Sequence, residues 1–101
     1  MKVFISVGMS GRLDREVVAD LHRAYRKIID RFGYGYQVVD NFSCEPSEDP
    51  MAGRLYYLGK AIEKLGDCDI CYFTKGWQNY RGCRAEMEIC KIYGIEVIEE
   101  A

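Results

Sequence analysis

Residues 69–98, DICYFTKGWQNYRGCRAEMEICKIYGIEVI, decide the fold. Asp69 to Thr74 is a short continuous apolar run, the composition of a strand buried on both faces. Gly76, Trp77, Asn79 and Gly82 follow in a stretch that reads as a loop. From Gly82 onward the period changes. Cys83, Met87, Cys90 and Tyr93 recur at spacings of three and four, which predicts a helix with one apolar face. Ile95 to Ile98 then reads as another strand. Strand, helix and strand in this succession predict parallel neighbours covered by a helix.

Working outward, the alternation continues to the start of the chain. Lys2 to Val7 (KVFISV) reads as a buried strand ending in the turn Gly8-Met9-Ser10-Gly11-Arg12. Asp14 is placed to cap a long helix, whose stripe runs through Val17, Val18, Leu21, Ala24, Tyr25, Ile28, Ile29 and Phe32 and stops at Gly33 and Gly35. Tyr36 to Val39 is a second strand. Residues 40–53, DNFSCEPSEDPMAG, hold both prolines and four acids and read as a long loop. A helix over Arg54 to Leu65 places Leu55, Leu58, Ile62 and Leu65 on one side. The chain thus predicts one α/β domain over residues 1–101. Its form is a Rossmann-like or flavodoxin-like three-layer sandwich, with a four-stranded parallel sheet in the order 2-1-3-4.

Composition narrows the function classes. With 49% apolar and 30% charged residues, the chain suits a soluble globular fold. A net charge of -2 lacks the basic face that a nucleic-acid polymer needs. No run approaches the ~20 apolar residues of a membrane span, and MKVFISVG has no signal-peptide pattern, so a cytoplasmic protein is expected. The five cysteines are Cys44, Cys68, Cys71, Cys83 and Cys90, and His22 is the sole histidine. Cys68 and Cys71 fall at a strand start, where alternation sends them to opposite faces, so they read as buried thiols and not as metal ligands. Neither a metal nor a cofactor is expected.

One residue contradicts the apolar pattern. Glu86 lies three after Cys83 and four before Cys90, on the apolar face, while Arg84, Glu88 and Lys91 point away. A carboxylate there is costly unless it has a partner or a chemical role. It is either a functional group, or a partly exposed charge that favours the positive helix end or pairs with Arg81.

Ligands of such sheets bind beyond the carboxyl ends of the strands, near the switch between the first and third. The turn at 8–12 and the loops at 40–53 and 74–82 are therefore expected to meet in one crevice. Gly8, Met9, Ser10, Gly11 and Arg12 offer backbone N–H groups, a hydroxyl and a guanidinium to a phosphate. Phe42, Trp77 and Tyr80 can stack on a base or bury themselves at a subunit interface. Gly76, Arg81 and Gly82 complete the loop, and Arg81 either grips an anion or compensates Glu86.

The block Gly76-Trp77 to Gly82-Cys83-x-x-Glu86, with Leu58-Gly59 and Cys68-Asp69, resembles the nucleoside 2-deoxyribosyltransferase-like family, in particular its small bacterial and phage domains. The turn Gly8 to Arg12 with Asp14-Arg15 resembles the phosphate loop of the 2'-deoxynucleoside 5'-monophosphate N-glycohydrolase branch. The resemblance runs nearly end to end. It implies that Glu86 is the nucleophile attacking the anomeric carbon of a 2'-deoxyribose, giving a glycosyl-enzyme that water or another base resolves. The chain departs from the pattern at the helper acids. Lys60-Ala61 and Tyr80-Arg81 stand where the enzymes carry aspartates, and Glu88 replaces a glycine two after the nucleophile. Two expectations follow: an N-glycosidic transferase or hydrolase, or a non-catalytic protein that holds a nucleotide-derived ligand. A homo-oligomer, dimer or tetramer, is expected from relatives that complete their sites between subunits and from surplus aromatics (Tyr56, Tyr57, Tyr72, Trp77 and Tyr80).

Overall fold

The computed structural model describes residues 1–42 and 53–101. The elements run in the order β1 (Lys2–Ser6), α1 (Asp14–Phe32), β2 (Gln37–Asp40), α2 (Arg54–Gly66), β3 (Ile70–Phe73), a short 3-10 turn (Trp77–Asn79), α3 (Arg81–Tyr93) and β4 (Glu96–Glu99). The expected loop at 40–53 falls largely on residues outside those described. The four strands form one sheet in the order β2-β1-β3-β4. Every pairing is parallel, with Val3 beside Val38 and Ile70, and Cys71 beside Val97. The fold is therefore the parallel α/β sandwich that the alternation of elements predicts.

Alternation along the strands divides the core in two. Val3, Ile5, Val7, Ile70 and Tyr72 face α1, where they meet Val17, Leu21, Ala24 and Ile28. Phe4, Cys71 and Phe73 face the other way, against Ala61 and Leu65 of α2 and Cys83, Met87 and Cys90 of α3. Leu65 is fully buried, so truncation to alanine should cost about 2–5 kcal/mol. Two glycines end helices in conformations that other residues avoid. Gly33 after α1 has φ 78° and Gly94 after α3 has φ 70°.

Four local expectations need correction. Asp14 is the first residue of α1, not its cap; Leu13 holds the cap position and no side chain caps the helix. Cys68 and Cys71 sit in the same core cluster, because the strand begins only at Ile70 and alternation does not reach Cys68. Leu55 is 82% exposed. The first turn of α2 overhangs the carboxyl end of the sheet, so Leu55 and Leu58 line a cavity there instead of the core. Tyr93, expected on the buried stripe, is 77% exposed in the last turn of α3.

Candidate active site

Three helices begin where the strands end. Asp14 of α1, Arg54 of α2 and Arg81 to Cys83 of α3 all line a cavity of about 900 Å³ at the carboxyl edge of the sheet. None of these helix starts has a side-chain cap. The N–H groups of Glu16 and Tyr56 are taken by the carbonyls of Leu13 and Gly53, which among the described residues leaves the first N–H groups of each helix and its positive dipole end for solvent or for an anionic ligand. Met9, Phe42, Tyr57, Leu58 and Tyr80 make much of the remaining wall apolar or aromatic. Cavities with this mixture suit small organic ligands bearing a charged end.

Glu86 lies on the lining of this cavity and has 0% of its surface exposed. The helical period puts it on the inner face of α3, between Cys83 and Cys90, above the last residues of β1. Ser6 Oγ donates to its Oε1 at 3.1 Å, and Asn41 Nδ2 donates to the same oxygen at 3.3 Å. Oε2 has no hydrogen-bond partner among the described residues. Burial raises the Glu86 carboxyl to about 7, against the opposing pull of the Ser6 and Asn41 hydrogen bonds. Arg81 shares the cavity but forms no ion pair with Glu86 among the described residues. Of the readings open at the sequence level, the exposed helix-end charge is therefore excluded.

The neighbouring thiols are quiet. Burial pushes Cys83 up to about 12 and raises Cys71 further. Neither competes with Glu86 as a nucleophile at neutral pH. Among the described residues no group of His, Cys, Asp and Glu is arranged to hold a metal ion.

The expected residues do not all meet. Gly8, Met9, Ser10, Phe42, Tyr80, Arg81, Gly82 and Glu86 share the 900 Å³ cavity. Arg12 and Gly76 instead line a second cavity of about 550 Å³, with Asp20, Arg23, Lys27, Lys75 and Glu100. Gly11 and Trp77 line neither. The single crevice is thus two, and Tyr80 belongs to both. Two contacts explain the division. Arg12 is turned away from the glutamate side by Asp20 Oδ2 at 2.7 Å and by the carbonyl of Gly8 at 2.9 Å. The Tyr80 ring packs so closely on Gly8 that a Cβ there would lie 2.1 Å from a ring carbon. Trp77 serves the core: its ring lies 5.2 Å from that of Phe73, and Nε1 donates to Glu99 Oε1 at 3.1 Å.

The second cavity is organised by Glu100, whose side chain is 0% exposed. Its carboxylate receives Arg23 Nη2 at 2.6 Å, Arg23 Nε at 2.9 Å, the Tyr72 hydroxyl at 2.7 Å and the backbone N–H of Lys75 at 3.1 Å. Burial opposes ionisation here too. The hydrogen bonds from Arg23, Tyr72 and Lys75 outweigh it and hold the carboxyl at about 2.

Sequence reasoning missed Ser6 and Asn41. Ser6 carried a usable signal, being a hydroxyl two residues after Phe4 in an apolar strand, on the face that packs against α3. Asn41 opens a stretch of sequence rich in polar residues and had none.

The chain belongs to a family described as a domain of unknown function, DUF4406, which matches residues 1–99. No curated protein and no solved structure matches it.

Proposed function

We propose that this protein cleaves or transfers the N-glycosidic bond of a nucleoside or its 5'-monophosphate, with Glu86 as the nucleophile. One observation carries the reading: a fully buried carboxylate on the lining of a ligand-sized cavity, with one oxygen held by two donors and the other without a partner among the described residues. Such an arrangement is expensive for stability and has no structural return. It suits attack by Oε2 on the anomeric carbon: the C–O bond forms as the C–N bond breaks, and the leaving base takes the bonding pair. Water or a second base then opens the glycosyl ester. The uncapped starts of α1, α2 and α3, with Ser10, Arg54 and Arg81, supply donors and positive charge for a 5'-phosphate. Phe42, Tyr57 and Tyr80 offer faces for the base.

A second reading, a protein that holds a nucleotide-derived ligand without cleaving it, is favoured by two observations. Glu86 has no exposed surface, and the other carboxylate on the cavity lining among the described residues, Asp14, is exposed at the start of α1. Incubation with a panel of nucleosides and nucleotides, followed by mass spectrometry of retained ligand and released base, separates the two. Free base with wild type supports the enzyme; retained intact ligand without free base supports the binder and sinks the proposed chemistry.

Self-association is part of the proposal. Val18 and Tyr25, expected on the apolar stripe of α1, are with Leu13 at least one-third exposed, as are Leu55 and Tyr57 on the cavity lining. Tyr72, counted among the surplus aromatics, is buried and does not contribute. A homodimer or tetramer is expected by light scattering at micromolar concentration, and a monomeric mass would contradict it.

A further inference from the structure

Asn41, one residue past β2, is held by the backbone of Val7, one residue past β1. Its Oδ1 accepts the N–H of Val7 at 3.0 Å, and its Nδ2 donates to the carbonyl of Val7 at 3.1 Å. A backbone N–H only donates and a backbone carbonyl only accepts, so these two bonds fix which way the amide faces. Turning it over would set N–H against N–H and oxygen against oxygen in a buried place. The second hydrogen on Nδ2 is thereby aimed at Glu86 Oε1, 3.3 Å away, whatever the state of that carboxyl.

Ser6, the other donor to Oε1, is under no such constraint. Its hydroxyl rotates. Ser6 can donate to a carboxylate, or accept from an O–H on Oε1. Asn41 can do only the first.

We propose that Asn41 is the positioning residue of this site: it bars a proton from Oε1 and so reserves Oε2 as the oxygen that bonds either a proton or carbon. The inference deepens the proposed role of Glu86 and rests on it. The neutral acid presents an O–H from Oε2, able to donate to a ligand acceptor, and the ionised form presents the same oxygen as nucleophile. The groups around Glu86 do not supply an alternative control. Cys71 of β3 and Cys83 of α3 are kept neutral by burial. Cys90 of α3 is buried too, and is drawn down by its hydrogen bond with Cys71 against the opposing effects of burial and of Glu86. The charged side chains of the cavity, Asp14, Arg54 and Arg81, form no ion pair with Glu86 among the described residues.

Titration of the Glu86 carboxyl carbon by NMR tests this without any substrate. Asn41→Ala is expected to move the midpoint upward by at least about half a pH unit, roughly threefold in proton affinity. Ser6→Ala should move it less, because Asn41 remains to exclude the proton from Oε1. A midpoint unchanged in Asn41→Ala, or moved further by Ser6→Ala, overturns the proposal. Should Asn41→Ala fail to fold, the wild-type side-chain amide decides. Its two protons should stay separate and protected, with one shifting at the Glu86 midpoint; averaged or insensitive protons overturn the assignment. Wild type that releases no base refutes the glycosidic reading while leaving these titrations intact. With turnover in hand, Asn41→Ala should lower kcat at least tenfold with KM within about threefold, whereas a merely structural defect lowers the active fraction alone.

Discussion

Glu86 and Glu100 are the same residue type, both with side chains closed to solvent, near the carboxyl end of the same sheet. They are built in opposite ways. Glu100 receives a guanidinium, a phenol and a backbone N–H, so its charge is satisfied and its carboxyl falls to about 2. Among the described residues Glu86 receives two neutral donors on one oxygen and none on the other, and its carboxyl rises to about 7. Burial is common to both, so burial alone does not mark a functional acid. What separates them is how many donors the fold brings to meet the charge. A fold under pressure only for stability builds Glu100.

The largest expected effect is on chemistry. Glu86→Gln keeps size and hydrogen-bonding capacity but removes the nucleophile, and base release should fall by at least ~100-fold, roughly 3 kcal/mol or more of transition-state stabilisation. Ligand affinity should change far less, because the helix starts and aromatic walls remain. Glu100→Gln, folded and assayed alongside, should stay within about threefold of wild type. Equal losses in the two variants would show that the contrast between the carboxylates has no functional content.

Stability should move in opposite directions, on a slightly smaller scale. Glu86 binds its proton more tightly in the folded protein, with a midpoint of about 7 against 4.5 for an unperturbed carboxyl. Its influence therefore reduces stability as pH rises from about 4.5 through about 7, by on the order of 3 kcal/mol. Glu86→Gln should flatten that decline and be more stable than wild type at pH 8. Glu100 is held at about 2, so its contribution is complete above about 4.5 and is lost as pH falls toward 2. Glu100→Gln leaves Arg23 short of a buried partner and should cost about 2 kcal/mol at pH 7. Urea melts from pH 2 to 8 read all of this, and parallel pH profiles for the two variants would break the comparison.

The divider between the two regions gives a third test. Tyr80 lines both cavities, and its ring occupies the space a side chain at Gly8 would need. Gly8→Ala must displace an aromatic ring packed on backbone and should cost about 1–2 kcal/mol. The displaced ring also alters a wall of the glutamate cavity, so ligand affinity should weaken together with stability. A variant as stable as wild type would show that Tyr80 gives way freely and does not partition the edge of the sheet.

Element types were legible in the sequence because they follow from period, and strand order because alternating strands and helices with right-handed crossovers leave few arrangements. KVFISV and DICYFT are continuous apolar runs, and the spacing of Cys83, Met87 and Cys90 is helical. Strand and helix boundaries moved by a residue or so, as at Gly82, where α3 in fact opens at Arg81. Glu86 was legible for the same reason: a charge out of phase with its helix is visible without coordinates. The partners of Glu86 were not, because Ser6 and Asn41 are separated from it by 80 and 45 residues and meet it only through tertiary packing. Trp77 misled for a related reason. An aromatic residue in a loop beside a glycine is read the same way whether its ring faces a ligand or the core.

Trp77 therefore gives the smallest and most specific test. Its ring packs near Phe73, and its indole N–H donates to Glu99 at an exposed position, 3.1 Å from Oε1. It borders neither cavity. Trp77→Phe keeps an aromatic ring near Phe73, loses part of the contact area and gives up one solvent-screened hydrogen bond. The expected loss is about 0.5–1 kcal/mol, a shift of a few degrees in Tm for a chain of this size. Affinity for any nucleoside or nucleotide, measured by calorimetry, should be unchanged within error. The comparable substitution in the glutamate cavity, Phe42→Leu, should differ in weakening ligand binding, with a melting change of similar size because Phe42 also packs against the α1 side of the core. If Trp77→Phe loses affinity and Phe42→Leu does not, the aromatic that meets the ligand lies on the Glu100 side, and the assignment of structural and functional regions must be exchanged.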